Sequence, residues 1–178
     1  MNAAAKLLLP RDIAPSNSQK AIAYLAHGEV AEAEEQWAVA LEHYGMGLSL
    51  LPNDPYTMYL LFNNAGRCLN ALGFHSDAES YCRRAIEIDS KRHDAYRNLG
   101  IALVGQNNSR GAAWAWVEAI KATPSDPRSA ELLKHLLTEN PGLPRQCPWI
   151  EQELLATLGI LFKTGPQGCQ IAYGTYRV

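Results

Sequence analysis

The chain has 178 residues, 47% of them hydrophobic and 19% charged, enough to bury one sizeable core without covalent staples. Its formal net charge of -2 lacks the basic excess of a general nucleic-acid binder, so no nucleic acid is expected among its partners. No apolar run approaches the roughly 18 residues of a membrane span, and residues 3–9 lack the basic start and cleavage site of a secretory signal, so a cytoplasmic protein without a membrane span is expected.

Residues 1–17 read as a short N-terminal extension, after which the chain repeats itself. Residues 59–92 and 93–126 are two copies of one 34-residue unit, with Gly66 and Gly100, Ala78 and Ala112, and Ala85 and Ala119 in register. A repeated unit of this length cannot bury its apolar face alone and must stack on its neighbours. Phe62 and Tyr96 stand four residues before the glycine of their copies. In an antiparallel helix pair the small residues sit where backbones approach most closely, and the large ones fill the space between pairs.

Pro52 closes a first copy at about 21–54, with Tyr24, Gly28, Ala31, Ala40, Tyr44 and Leu48 in the same register and Gly47 where the second alanine belongs. Residues 55–58 are an insertion, either a loop or one added helical turn. Residues 127–140 place Ala130, Leu133, Leu136 and Leu137 on one face, which predicts a capping helix stopped by Pro141-Gly142. Residues 18–142 thus hold three repeats and a cap, and 143–178 hold an amphipathic helix and a tail. That helix is expected over 148–163, carrying Ile150, Leu154, Leu155, Leu158, Leu161 and Phe162, and either packs on the end of the stack or meets a partner. Residues 167–178 are expected to be unstructured or extended.

Chemistry-bearing patterns are few. Cys68, Cys82, Cys147 and Cys169 show no CxxC pairing and no histidine at ligand spacing, so they read as small buried hydrophobes. There is no HExxH, GxSxG, GxxxxGK[ST] or strand-following GxGxxG, and His27, His43, His75, His93 and His135 are scattered. The expectation is no catalytic residue, no metal, no cofactor and no enzyme.

The third copy reads Tyr96, Leu99-Gly100, Leu103, Ala112, Trp116, Ala119, Pro124, and the second Phe62, Ala65-Gly66, Leu69, Ala78, Cys82, Ala85, with Ser90 in place of proline. This pattern resembles the tetratricopeptide repeat. The resemblance implies an all-α solenoid of antiparallel helix pairs, a right-handed superhelix whose first helices line a concave groove that binds a peptide or protein partner. Groove positions follow as Asn63, Asn64, Arg67, Asn70, Arg97, Asn98, Ile101 and Arg128, with Arg67 and Arg97 read as free of packing duties. In chaperone adaptors of the family such positions form a clamp for a C-terminal carboxylate. The best register here is Arg67, Asn98 and Arg128, with Asn63 and Leu132 mismatched, and this favours an internal peptide segment held by amide and guanidinium hydrogen bonds.

The function expected is therefore a non-enzymatic interaction module, a scaffold or adaptor. The alternatives are a bacterial class II secretion-type chaperone, which is similar in length, and a regulatory subunit or enzyme with unrecognised chemistry. Charge adds one more expectation. Glu29, Glu32, Glu34, Glu35 and Glu42 face no lysine or arginine between residues 21 and 52, whereas Lys91, Arg92, Arg97, Arg110 and Lys121 crowd the third copy. Either each is a solvated face, or the gradient supports a partner or a homo-oligomer through charge complementarity or the C-terminal helix.

Overall fold

The computed structural model describes residues 15–158, 160–165 and 168–173, with side chains as far as residue 155. Six helices form three antiparallel pairs: α1 (Asn17–Ala33) with α2 (Trp37–Ser49), α3 (Pro55–Ala71) with α4 (His75–Ile88), and α5 (His93–Gly105) with α6 (Ser109–Ala122). The chain continues into α7 (Pro127–Glu139), the short α8 (Leu143–Gln146) and α9 (Trp149–Leu158), then strands β1 (Ile160–Gly165) and β2 (Gly168–Tyr173).

Local chemistry sets these boundaries. Ser16 and Gln19 form a reciprocal capping box at the start of α1. The carboxylate of Asp54 accepts from the Thr57 amide at 2.8 Å ahead of Pro55, so the four inserted residues are an added turn of α3 rather than a loop. Inside every pair the chain reverses through one left-handed residue at the same repeat position: Glu35, Gly73 and Asn107, with φ of 58, 83 and 60°. The next amide then bonds back across the turn, Gln36 to Ala31, Phe74 to Leu69 and Asn108 to Leu103, closing each helix with a Schellman-type bond.

The repeat's small residues do the work the spacing assigns them. Ala40, Ala78, Ala85 and Ala112 are fully buried, and a methyl group at Gly100 would collide with the Trp116 indole that crosses it. That indole donates to the Arg97 carbonyl at 3.1 Å, tying α6 to α5. The main core runs from Leu99 and Val117 through Leu133 and Leu137 to Leu143, Cys147, Ile150 and Leu154, so α7, α8 and α9 close the C-terminal end of the stack.

The C-terminal helix is shorter than the sequence spacing suggests. It stops at Leu158 instead of Lys163, and residues 160–165 pair antiparallel with 168–173, Ile160 opposite Tyr173 and Gly165 opposite Gly168. Ile160, Leu161 and Phe162 follow Gly159, a weak helix former, and of the three Ile160 and Phe162 favour a pleated strand. The side chains of Leu158, Leu161 and Phe162 lie outside the described residues, as do residues 1–14 of the expected extension and 174–178 of the tail.

Candidate functional site

The odd-numbered helices gather on one side. α1 meets α3 and α3 meets α5 more closely than any two even-numbered helices meet, so the stack curves with α1, α3 and α5 on its inner face. The amides expected there are present but are largely engaged with each other. Asn98 Nδ2 donates to Asn63 Oδ1 at 3.0 Å, Asn63 Nδ2 to Asn64 Oδ1 at 3.1 Å, and Asn70 Nδ2 to the Asn98 carbonyl at 2.8 Å. Asn63, Asn64 and Asn98 are buried, so this ladder is a rigid seam between α3 and α5.

The arginines are engaged as well, which corrects their reading as free of packing duties. Arg67 pairs with Glu32, a buried residue of α1 whose other carboxylate oxygen accepts from the Tyr44 hydroxyl at 2.7 Å. Burial opposes the charge of Arg67, but the bond it donates to Glu32, with the attraction of that carboxylate, outweighs burial and holds the guanidinium pKa above its ordinary value. Burial, and then the Glu32 carboxylate, raise the Tyr44 phenol likewise.

Arg97 is buried and bridges Asp94 at 2.9 Å and Asp126 at 3.2 Å. Asp126 also accepts from Arg128 Nε at 2.8 Å and lies 3.0 Å from His93 Nε2. Hydrogen bonds from Arg128 hold the Asp126 carboxyl at about 2, against burial, which acts the other way. Each arginine aimed at the groove is thus answered by a carboxylate of the chain itself.

What remains open lies further along. Between α5 and α7 is a cavity of about 560 Å³, lined by the apolar Ile101, Val104, Trp116, Leu132 and Leu136 and by polar residues that include Asn107, His135 and Glu139. Val104 is 41% exposed there. Of the expected groove residues only Ile101 lines this slot. The others were legible from the same register: Leu132 and His135 stand one period after Asn98 and Ile101. Among the described residues no group of three histidines, cysteines or carboxylates is placed to hold a metal ion, and no helix is long and apolar enough to cross a membrane. Cys68, Cys82 and Cys147 are buried and unpaired, and burial pushes the Cys82 thiol up to about 12.

No family model matches the chain. Over 101 residues it is 30% identical to small glutamine-rich tetratricopeptide repeat-containing protein 2 of Mycosarcoma maydis, a match covering 57% of the chain and 28% of that protein. Over 123 residues it is 27% identical to the photosystem I assembly protein Ycf3 of Cyanophora paradoxa, covering 61% of the chain and 70% of the relative. Among solved structures it is similar to the first tetratricopeptide domain of Spaghetti (RPAP3), bound to the HSP90 peptide SRMEEVD, with a TM-score of 0.62 and 21% identity over 68% of the chain and 93% of that domain. The chain spans little more than a quarter of the first relative, 28% of its length.

Proposed function

We propose that this chain, which is similar to tetratricopeptide repeat proteins in sequence and fold, is a non-enzymatic adaptor holding an extended internal segment of a partner along its inner face. The observation that carries this reading is the apolar slot between α5 and α7. It is large enough for a bulky aliphatic or aromatic side chain, and it opens beside a seam whose amides are largely engaged with each other. One anchor in the slot, with the peptide backbone running over α3 and α5, fits this arrangement.

The same charges argue against a terminal carboxylate as the ligand. A carboxylate clamp needs cations held free for the ligand. Here Arg67, Arg97 and Arg128 are neutralised by Glu32, Asp94 and Asp126. Peptides selected by display on the immobilised full chain should share a large apolar residue with no requirement for a free C-terminus. Val104 is exposed, so Val104→Glu should leave the melting temperature unchanged while weakening the selected peptides about tenfold or more. Preferential binding of SRMEEVD, or unaltered binding by the Val104→Glu variant, would defeat the proposal.

A further inference from the structure

The repeat register allows one position to be compared in three copies. Ala23, His27 and Val30 of α1 correspond to Leu61, Ala65 and Cys68 of α3, and to Ala95, Leu99 and Ala102 of α5. In α3 and α5 all six are fully buried, because the second helix of the preceding copy packs against that side. In α1 the same side is open: Ala23 and His27 are exposed and Val30 is 61% exposed.

α2 adds an independent sign. Val39 and Met46 stand where the later copies carry Asp77 and Gly111, and Arg84 and Glu118. Positions that are polar or bare elsewhere are apolar in this copy alone, and both side chains are more than two-fifths exposed. Val30 and Val39 share a cleft of about 330 Å³ with His27, Ala31 and His43. Around it Glu29, Glu34, Glu35 and Glu42 are exposed, and no lysine or arginine lies between residues 21 and 52.

We propose that this N-terminal end is a second docking surface, and that its occupant is a partner's amphipathic helix with a small apolar stripe flanked by lysine or arginine. A helix is the shape that covers the equivalent sides of α3 and α5, supplied there by α2 and α4. Basic flanks are what these four exposed glutamates select, since the one cation on α1 and α2 is Lys20 at the start of α1. A second copy of the chain is the wrong occupant. Its C-terminal end is covered by α7 and α9, and two N-terminal ends would set glutamates against glutamates.

The test uses the full chain, isotope-labelled for NMR. The probe is a synthetic 14-residue helix with an alanine-leucine stripe and lysine flanks, compared with the same peptide carrying glutamate flanks. The lysine probe should shift the Val30, Val39 and Met46 signals, leave Val104 and Ile101 unmoved, and bind about tenfold more weakly to a Val39→Lys variant with an unchanged melting temperature. The glutamate probe should produce no shift. Equal responses to both probes, shifts confined to the α5–α7 slot, or no response would overturn the proposal. So would protection of Val30 and Met46 from a soluble paramagnetic agent in the free protein. That result would assign the surface to the chain's own residues 1–14, in which Lys6 and Arg11 have the same charge.

Discussion

Removing Arg97 would leave Asp94 and Asp126 facing each other without the guanidinium between them. Arg97 is buried, but Asp94 is partly exposed and Asp126 keeps Arg128, so the cost is about 1–3 kcal/mol, that of losing hydrogen bonds between charged groups. Arg97→Ala should therefore lower the melting temperature markedly, and Arg97→Ala with Asp94→Asn should recover part of the loss in a denaturation series. Arg67→Ala should behave in the same direction by stranding Glu32, with Glu32→Gln restoring most of it. Asp126 gives the pH dependence. Its carboxyl sits at about 2 in the folded chain, below the ordinary value of 3.8, so its contribution is complete above about pH 4 and disappears as pH falls through 2. Melting temperature between those pH values should fall more steeply in the wild type than in Asp126→Asn. Of these pairings only Asp94–Arg97, three residues apart on α5, was legible in the sequence. Arg67 and Glu32 lie in different copies, and Arg97 meets Asp126 from the opposite end of the third copy, so spacing along the chain does not show which acid meets which base over those distances.

Glu35 occupies the left-handed position that Gly73 fills in the second pair, and a side chain with a β-carbon is strained there. Glu35→Gly should stabilise the first pair by up to about 1 kcal/mol, whereas Gly73→Ala should destabilise the second by about the same amount, as read from urea midpoints. Ala112 tests the register itself. It is fully buried where α6 packs on α5, so Ala112→Leu should overpack the pair by about 1–3 kcal/mol. At this scale the sequence is informative, because a glycine, two alanines and a large residue recur at fixed intervals and each interval is a contact. The hairpin after Leu158 was hidden for the opposite reason. A short apolar run such as Ile160-Leu161-Phe162 fits a helical stripe and a strand equally well, and no second copy of it exists to settle the period.

A solenoid has two ends, and this one treats them differently. The N-terminal pair leaves Val30, Val39 and Met46 in solvent, whereas the C-terminal pair is covered by α7 and then by α9. Leu143, Cys147, Ile150 and Leu154 are buried in the same cluster as Val117, Ile120 and Leu133, so the end cap shares the core of the third repeat rather than resting on its surface. Lys121 adds a tie from outside, 2.9 Å from Glu118 and 3.2 Å from Glu153 of α9, though at an exposed site such a bridge contributes little. Truncation after Gly142 would remove those four apolar side chains and uncover the side chains of α6 and α7 they pack against. Each large one accounts for roughly 1.5–3 kcal/mol of burial, several times the worth of the bridge. The truncated chain should melt at a lower temperature and associate in light scattering, because a terminal repeat with an apolar outer face seeks another surface. An unchanged melting curve and a monomeric scattering mass would instead make α9 an appendage that docks elsewhere, and would place the limit of the cooperative unit at α7.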